Sequence, residues 1–262
     1  MEVWQAIVLG AVQGLCEFLP VSSSGHLILM QRWLGVTTGG LFFDVMLHIG
    51  TLIPVVIVFY REIISLFSKP YKRLWLLIVA TIPAMLTGVL LGDLIDGFFY
   101  RGDLLSAILL SVTFVLTAAE LLFAERISKK NENALPLSLK NAFIMGVAQG
   151  VAIAPGLSRS GTVISAGVFS KLNKNDTASF AFLMSIPVVL GAALISGYKA
   201  IKGGLVVESV PLLMGMITAA VTGYIAIKTM LKVIKKANYK WFSLYLMIIA
   251  VLSVTIKFVI NV

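Results

Sequence analysis

The chain has 262 residues, 59% of them hydrophobic and 13% charged, and a mean hydropathy of +0.99. Those proportions exclude a soluble domain with a large core and describe a polytopic membrane protein. The net charge of +9 sits in short gaps between apolar stretches, a placement that sets membrane topology and argues against nucleic acid as a partner. Cys16, the single cysteine, excludes an intrachain disulfide and a cysteine-built zinc site; beside Glu17 on an apolar helix it reads as a packing residue.

In chain order, the first apolar run covers 2–19 and has no basic leader or small-residue cleavage site, so it is expected to remain in the mature protein. It breaks at Pro20, and Ser22, Ser23, Ser24, Gly25 and His26 follow. The next apolar piece, 27–34, would be only ~12 Å long as a helix and cannot span. Three stretches that can cross a bilayer come next, at about 41–60, 74–91 and 104–123. After a polar linker at about 124–140, the pattern starts again. The run 141–154 breaks at Pro155, is followed by a short sequel at 162–170, and leads to spans at about 177–196, 205–227 and 241–260.

The restart is visible residue by residue. GAVQGLCEFLPVSSSGH at 10–26 aligns without a gap on GVAQGVAIAPGLSRSGT at 146–162, sharing Gly10/Gly146, Gln13/Gln149, Gly14/Gly150, Ser22/Ser158, Ser24/Ser160 and Gly25/Gly161. The copies differ where chemistry is carried: Glu17 and His26 stand opposite Ile153 and Thr162, and Arg159 stands opposite Ser23.

The gaps 61–73, 126–140, 171–174 and 228–240 are basic, whereas 92–103 holds Asp93, Asp96 and Asp103 against Arg101. Basic gaps are expected on the cytoplasmic side. Lys199 and Lys202, on an expected outer loop, run against that pattern. Three spans separate the two broken helices, so the two hairpins enter from opposite faces. The expected fold is an all-α polytopic membrane protein forming one domain over 1–262. It is an inverted-topology repeat, repeat one at about 1–123 and repeat two at about 141–262, each a re-entrant helix-turn-helix hairpin plus three transmembrane helices.

Opposed hairpins bring their turns together near the bilayer midplane, with second half-helices expected to start at about Ser24 and Ser160. Half-helix N-termini carry unpaired N–H groups and cradle phosphate or carboxylate. Gln13 and Glu17, four apart, share one face just before the first turn. A carboxylate at that depth marks function, and with Gln13 it is a candidate ligand for Mg²⁺ or Ca²⁺ alongside phosphate oxygens. Arg159 offers a planar fork to phosphate; its alternative role is pairing with Glu17 for assembly. His26 is a general acid, a general base or a capping donor. Spacing does not rank Ser22, Ser23 and Ser24. Asp44 and His48 form a second pair four apart, either accessory to the site or an interfacial hydrogen bond. Glu120 and Glu208 are expected to snorkel at span ends.

The segments QGLCEFLPVSSSGH and PGLSRSG, with FDVMLHIGTL at 43–52, resemble the signatures of the undecaprenyl-diphosphate phosphatase family, the bacitracin-resistance type. The resemblance covers essentially the whole chain. It implies a plasma-membrane, multi-pass phosphatase that converts undecaprenyl diphosphate to the monophosphate, needs Mg²⁺ or Ca²⁺, and opens its active site to the outer face. By position it implies catalytic roles for Glu17, Ser23 as nucleophile or key hydroxyl, His26 as its acid/base partner and Arg159 on the phosphate. Ser22, Ser24, Gly25, Ser158, Ser160, Gly161 and Thr162 would surround the substrate, and Gln13 and Glu17 would hold the metal. Two positions depart from the family pattern: Gln13 stands where Glu is frequent, and Thr162 lies one residue early. The expected partners are a polyprenyl diphosphate lipid and the bilayer, with a homodimer an allowed assembly. A lipid-phosphate flippase using the same midplane site is the alternative, since inverted repeats with broken helices also build transporters; an intramembrane serine protease could use Ser23 and His26 but has less need of Arg159 and a metal.

Overall fold

The computed structural model describes residues 1–36, 40–130, 135–204, 208–236 and 238–260, and over them the chain is helical. Residues 131–134 of the expected linker and 205–207 at the start of the fifth expected span lie outside the described residues. The helices are α1 (Val3–Phe18), α2 (Ser23–Trp33), α3 (Gly40–Val58), α4 (Tyr60–Leu66), α5 (Lys72–Phe99), α6 (Leu104–Lys130), α7 (Leu139–Val151), α8 (Arg159–Phe169), α9 (Lys174–Lys202), α10 (Ser209–Lys236) and α11 (Lys240–Ile260).

Among the described residues, α3, α5, α6, α9 and α10 contain stretches long and apolar enough to cross a bilayer. They correspond to the first five expected spans; the sixth is α11, whose described apolar stretch, Lys240–Thr255, is shorter. Several helices outrun their apolar segments. α5 continues through Asp93 and Asp96 to Phe99, which makes most of the expected acidic loop helical. Lys199 and Lys202, expected on an outer loop, form the last turn of α9, where cations suit the helix dipole. Lys199 also reaches across to Asp93 of α5 at 2.6 Å, so this lysine has a local electrostatic reason for its place. Asp103 precedes α6 and accepts the Ser106 N–H at 2.8 Å, a cap that holds its carboxyl below the usual value. Large apolar side chains such as Leu90, Leu194 and Ile201 point outward, as lipid-facing residues do.

The two halves repeat at the level of packing. α1 lies against α10 of the other half, and α7 lies against α5. Glycine makes both approaches: a Cβ on Gly10 would sit 2.3 Å from the Gly215 carbonyl oxygen, and one on the aligned Gly146 would sit 2.3 Å from that of Ala80. α1 and α7 both stop short of a full crossing, at 16 and 13 residues, and both lead through a Pro-containing turn into an 11-residue helix. Those helices begin at Ser23 and Arg159, each one residue earlier than expected. Each ends in a positive-φ residue, Gly35 at +62° and Lys171 at +58°, which also align in the repeat.

Candidate active site

The two turns meet tip to tip and are built alike. Ser22 and Ser158 cap α2 and α8 by accepting the N–H of Gly25 at 3.4 Å and of Gly161 at 3.1 Å. Each cap also contacts the hydroxyl two residues on, Ser24 at 3.4 Å and Ser160 at 3.3 Å. The turns then finish one another. Gly156 N–H donates to Ser22 Oγ at 3.0 Å, and Ser160 Oγ donates to the Leu19 carbonyl at 3.3 Å. Gly25 is required at this meeting point, because a Cβ there would lie 2.7 Å from the Phe114 ring and 3.0 Å from Gly156 Cα. Ser22 accepts a strained φ of +67° to reach Gly156, a conformation costing ~1–3 kcal/mol in a non-glycine residue. α6 contributes Thr113 and Thr117, whose hydroxyls donate to the Pro155 and Gly156 carbonyls at 2.7 and 3.1 Å. Sequence reasoning missed both threonines, since nothing in α6 marks them as turn ligands.

Above the turns lies a cavity of about 540 Å³, floored by Glu17, Ser22, Ser23, Ser24, Ser158 and Arg159. Its walls are α5 and α9, which present Met85, Val89, Val188 and Ile195, and its rim carries Asp93, Asp96, Tyr100 and Lys199. A polar floor under apolar walls suits an amphiphile with a charged head.

Glu17 is the hub of the floor. Its Oε2 accepts Ser23 Oγ–H at 2.6 Å and Gln13 Nε2–H at 3.1 Å, and lies 3.3 Å from His48 Nε2. Its Oε1 lies 3.6 Å from Arg159 Nη2. Arg159 thus does pair with Glu17, but only through one nitrogen: Nη1 is buried with no protein partner. Gln13 Oε1 is buried and unpartnered in the same way. The three serines, equivalent by spacing, separate by geometry. Ser22 spends its oxygen on two backbone N–H groups, Ser24 contacts Ser22, and Ser23 alone of the three bonds the carboxylate.

Three expectations are corrected. His26 was expected beside Ser23. Its ring instead donates from Nδ1 to the Ser22 carbonyl at 2.7 Å, faces Tyr245 Oη with Nε2 at 2.8 Å, and stacks on Tyr245. Both nitrogens serve the framework because residue 26 is one helical turn past the cap and points its ring toward α11. Thr162 was expected at the substrate, whereas its hydroxyl donates to Glu120 Oε2 at 2.8 Å. Glu120 therefore turns inward to α8 and does not snorkel; Glu208 is exposed, as expected. Asp44 and His48 both line the cavity, though not paired through their side chains. The His48 ring bonds the Asp44 backbone carbonyl at 2.7 Å, and the Asp44 carboxylate takes Gln31 at 2.6 Å and Tyr100 at 3.3 Å. Of the remaining expected residues, Gly25, Ser160, Gly161 and Gln13 shape or support the floor without lining the cavity.

The model of the bacitracin resistance protein BacA family matches residues 6–252. The chain belongs to this family. Relatives include an undecaprenyl-diphosphatase of Carboxydothermus hydrogenoformans, 40% identical over 255 residues and 96% of both chains. Another, from Methanosphaera stadtmanae, is 40% identical across 99% of both chains. A third, from Thermodesulfovibrio yellowstonii, is 38% identical over 92% of this chain and 94% of its own. All three are named undecaprenyl-diphosphatase, and family membership extends to the segments that carry both turns, α3 and the cavity walls.

Proposed function

We propose that the chain hydrolyses undecaprenyl diphosphate to undecaprenyl phosphate and inorganic phosphate, recycling the lipid carrier for cell-wall synthesis and conferring bacitracin resistance. The relatives' names support the substrate. The observation that carries the site is Arg159: a guanidinium nitrogen buried without a protein partner, on a cavity floor that also holds the Ser23–Glu17 hydroxyl–carboxylate bond. An anion with two adjacent oxygens satisfies that nitrogen, and a diphosphate head under an apolar tail matches the cavity's polarity.

In the reaction, Arg159 and the half-helix N-termini neutralise the terminal phosphoryl oxygens. Ser23 Oγ attacks that phosphorus while its proton passes along the 2.6 Å bond to Glu17 Oε2, and the bridging P–O bond breaks to release the lipid monophosphate. Water then attacks the phosphoserine, the proton returns from Glu17 to Ser23 Oγ, and phosphate leaves with both hydrogens of the water. Glu17 occupies the proton-accepting place that sequence reasoning assigned to His26.

A divalent cation fits this donor set. Glu17 and the unpartnered Gln13 Oε1 are hard oxygen donors one helical turn apart, and Mg²⁺ or Ca²⁺ is commonly held by one carboxylate with phosphate oxygens completing the shell. Gln13 and Glu17 would hold the ion, which would supply further neutralisation of the diphosphate. The described residues contain no group of three His, Cys, Asp or Glu able to hold a metal ion.

The two halves form an inverted repeat with re-entrant hairpins in the plasma membrane, and the cavity opens to the outer face through its acidic rim. Labelling supports or breaks this: Val36→Cys and Leu172→Cys, aligned in the repeat, should react from opposite faces in a Cys16→Ala background. For the chemistry, phosphate release by purified protein from C55 and C15 prenyl diphosphates, with and without EDTA, is the test. Release that EDTA suppresses supports hydrolysis; transport without phosphate release supports the flippase reading, which needs no hydroxyl on Glu17.

A further inference from the structure

We infer that Gln149 holds the water for the second half of the reaction, the hydrolysis of the phosphoserine, an inference that rests on the phosphatase reading. Among the described residues, two that line the cavity bury a polar atom without a protein partner: Arg159 Nη1 and Gln149 Oε1. The first is a donor and suits phosphate. The second is an acceptor, and neither an ionised phosphoryl group nor a prenyl tail has a hydrogen to give it. Water does. The amide cannot exchange its two ends, because Nε2 donates to the Met184 carbonyl of α9 at 3.4 Å, an oxygen that can only accept. That contact turns the nitrogen toward α9 and leaves Oε1 on offer.

The aligned glutamine of the first copy shows why water, and not a cation, is the occupant. Gln13 gives its Nε2 to Glu17, so its free oxygen lies beside a carboxylate. In the second copy Ile153 stands at the position of Glu17, and Gln149 has no such charge beside it. A neutral oxygen alone is a poor ligand for a divalent cation but a sufficient acceptor for a neutral water. The chemistry needs one. Glu17 enters the second half-reaction carrying the Ser23 proton and is the donor to the departing Oγ, so the water takes its acceptor elsewhere. The Asp44 carboxylate, also on the cavity wall, already accepts from Gln31 and Tyr100. In-line displacement puts the water on the face of phosphorus away from Ser23 Oγ. Ser23 belongs to the first hairpin and Gln149 to the second, near the end of α7. As the water oxygen bonds phosphorus, the P–Oγ bond breaks and the Glu17 proton passes to Oγ. Both water hydrogens leave on phosphate, one of them bonded to Gln149 Oε1 during the attack. Gln149 itself neither gains nor loses a proton.

The test uses full-length protein in detergent, farnesyl diphosphate as the probe and rapid quenching, which times the two products separately. Gln149→Met keeps the length of the side chain without its amide oxygen. Its first release of farnesyl monophosphate should stay within ~3-fold of the parent. Inorganic phosphate should follow ~10²-fold more slowly, the scale of a misplaced reacting group. Phosphate should therefore accumulate on the Ser23 peptide, read by mass spectrometry, toward equimolar with protein. Gln149→Leu should do the same and keeps the test decisive if methionine impairs folding. Parental release of inorganic phosphate in either folded variant overturns the inference. So does equal slowing of both products with no phosphate on Ser23, the mark of a merely structural role. The parent and Ser23→Ala are measured alongside. If the parent releases no phosphate, or Ser23→Ala releases it as fast as the parent, the phosphatase reading of this floor fails. If the parent is active, Ser23→Ala is inactive and neither Gln149 variant traps phosphoserine, only the role of Gln149 fails.

Discussion

The first and second turns share one architecture and, in the proposed reaction, divide the work between them. Both use a serine cap, a glycine one turn later and a contact to the hydroxyl two residues beyond. At the positions where they differ, Glu17 and Ser23 stand on the first turn and Arg159 on the second. The duplicated serines and glycines thus do structural work, closing helices and bringing the tips together. Glu17, Ser23 and Arg159, which are not duplicated, carry charge and the hydroxyl proposed to react. Among the serines and glycines, identity between the repeats marks scaffold, and Glu17, Ser23 and Arg159, where the copies differ, carry the proposed chemistry.

That division can be broken most severely at Arg159. Arg159→Ala should cost at least ~10³-fold in kcat/KM, and Arg159→Lys ~10²-fold, because lysine keeps a charge but not the two-pronged geometry. Steady-state phosphate release checks both, and near-parental turnover in the lysine variant would remove bidentate recognition. Glu17→Gln should follow at ~10²–10³-fold in kcat, since the amide still meets Arg159's neighbourhood but cannot take the Ser23 proton. Parental activity with unchanged EDTA sensitivity would place the base elsewhere.

The scaffold half of the comparison predicts matched effects. Gly10→Ala and Gly146→Ala press a methyl group into equivalent backbone contacts, and each should destabilise by ~1–3 kcal/mol. Detergent melting curves that shift equally support symmetry of packing; a shift in only one half denies it. The caps sharpen this further. Ser158→Ala should cost ~0.5–2 kcal/mol, and Ser22→Ala more within that range because Ser22 also holds Gly156. The smallest effect belongs to Tyr245→Phe, which loses the His26 contact for ~0.5–1.5 kcal/mol of stability and should leave kcat/KM unchanged. A kinetic defect in that variant would return His26 to the chemistry.

Much of this was legible in the chain. The broken helices announce themselves because Pro20 and Pro155 interrupt apolar runs and are followed by Ser and Gly. Glu17 and Arg159 stand out because ionised groups are rare at bilayer depth. What stayed hidden depended on direction and on distant partners. Spacing could not rank three consecutive serines, since the choice lies in which hydroxyl faces Glu17 and which faces Gly156. The direction of His26 stayed hidden for the same reason. His26 is near Ser23 in sequence but turns toward Tyr245, 219 residues away, while His48 comes to Glu17 from another helix. The inward turn of Glu120 likewise rests on Thr162, which no local pattern connects to it. Span ends were set too short because helices continue past the apolar zone, as α5 does through Asp93 and Asp96.

The reciprocal closure of the turns also bears on biosynthesis. Ser22 waits for Gly156, 134 residues downstream. At ~5–20 residues per second the ribosome needs roughly 7–27 s to supply that partner. α1 waits longer still for α10. Through that interval the first turn lacks the partner that completes it, so a nascent chain ending within α6 carries an unfinished turn. The second hairpin faces a shorter delay, because α5 and α6, against which it packs, have already been made, and α9 follows it directly.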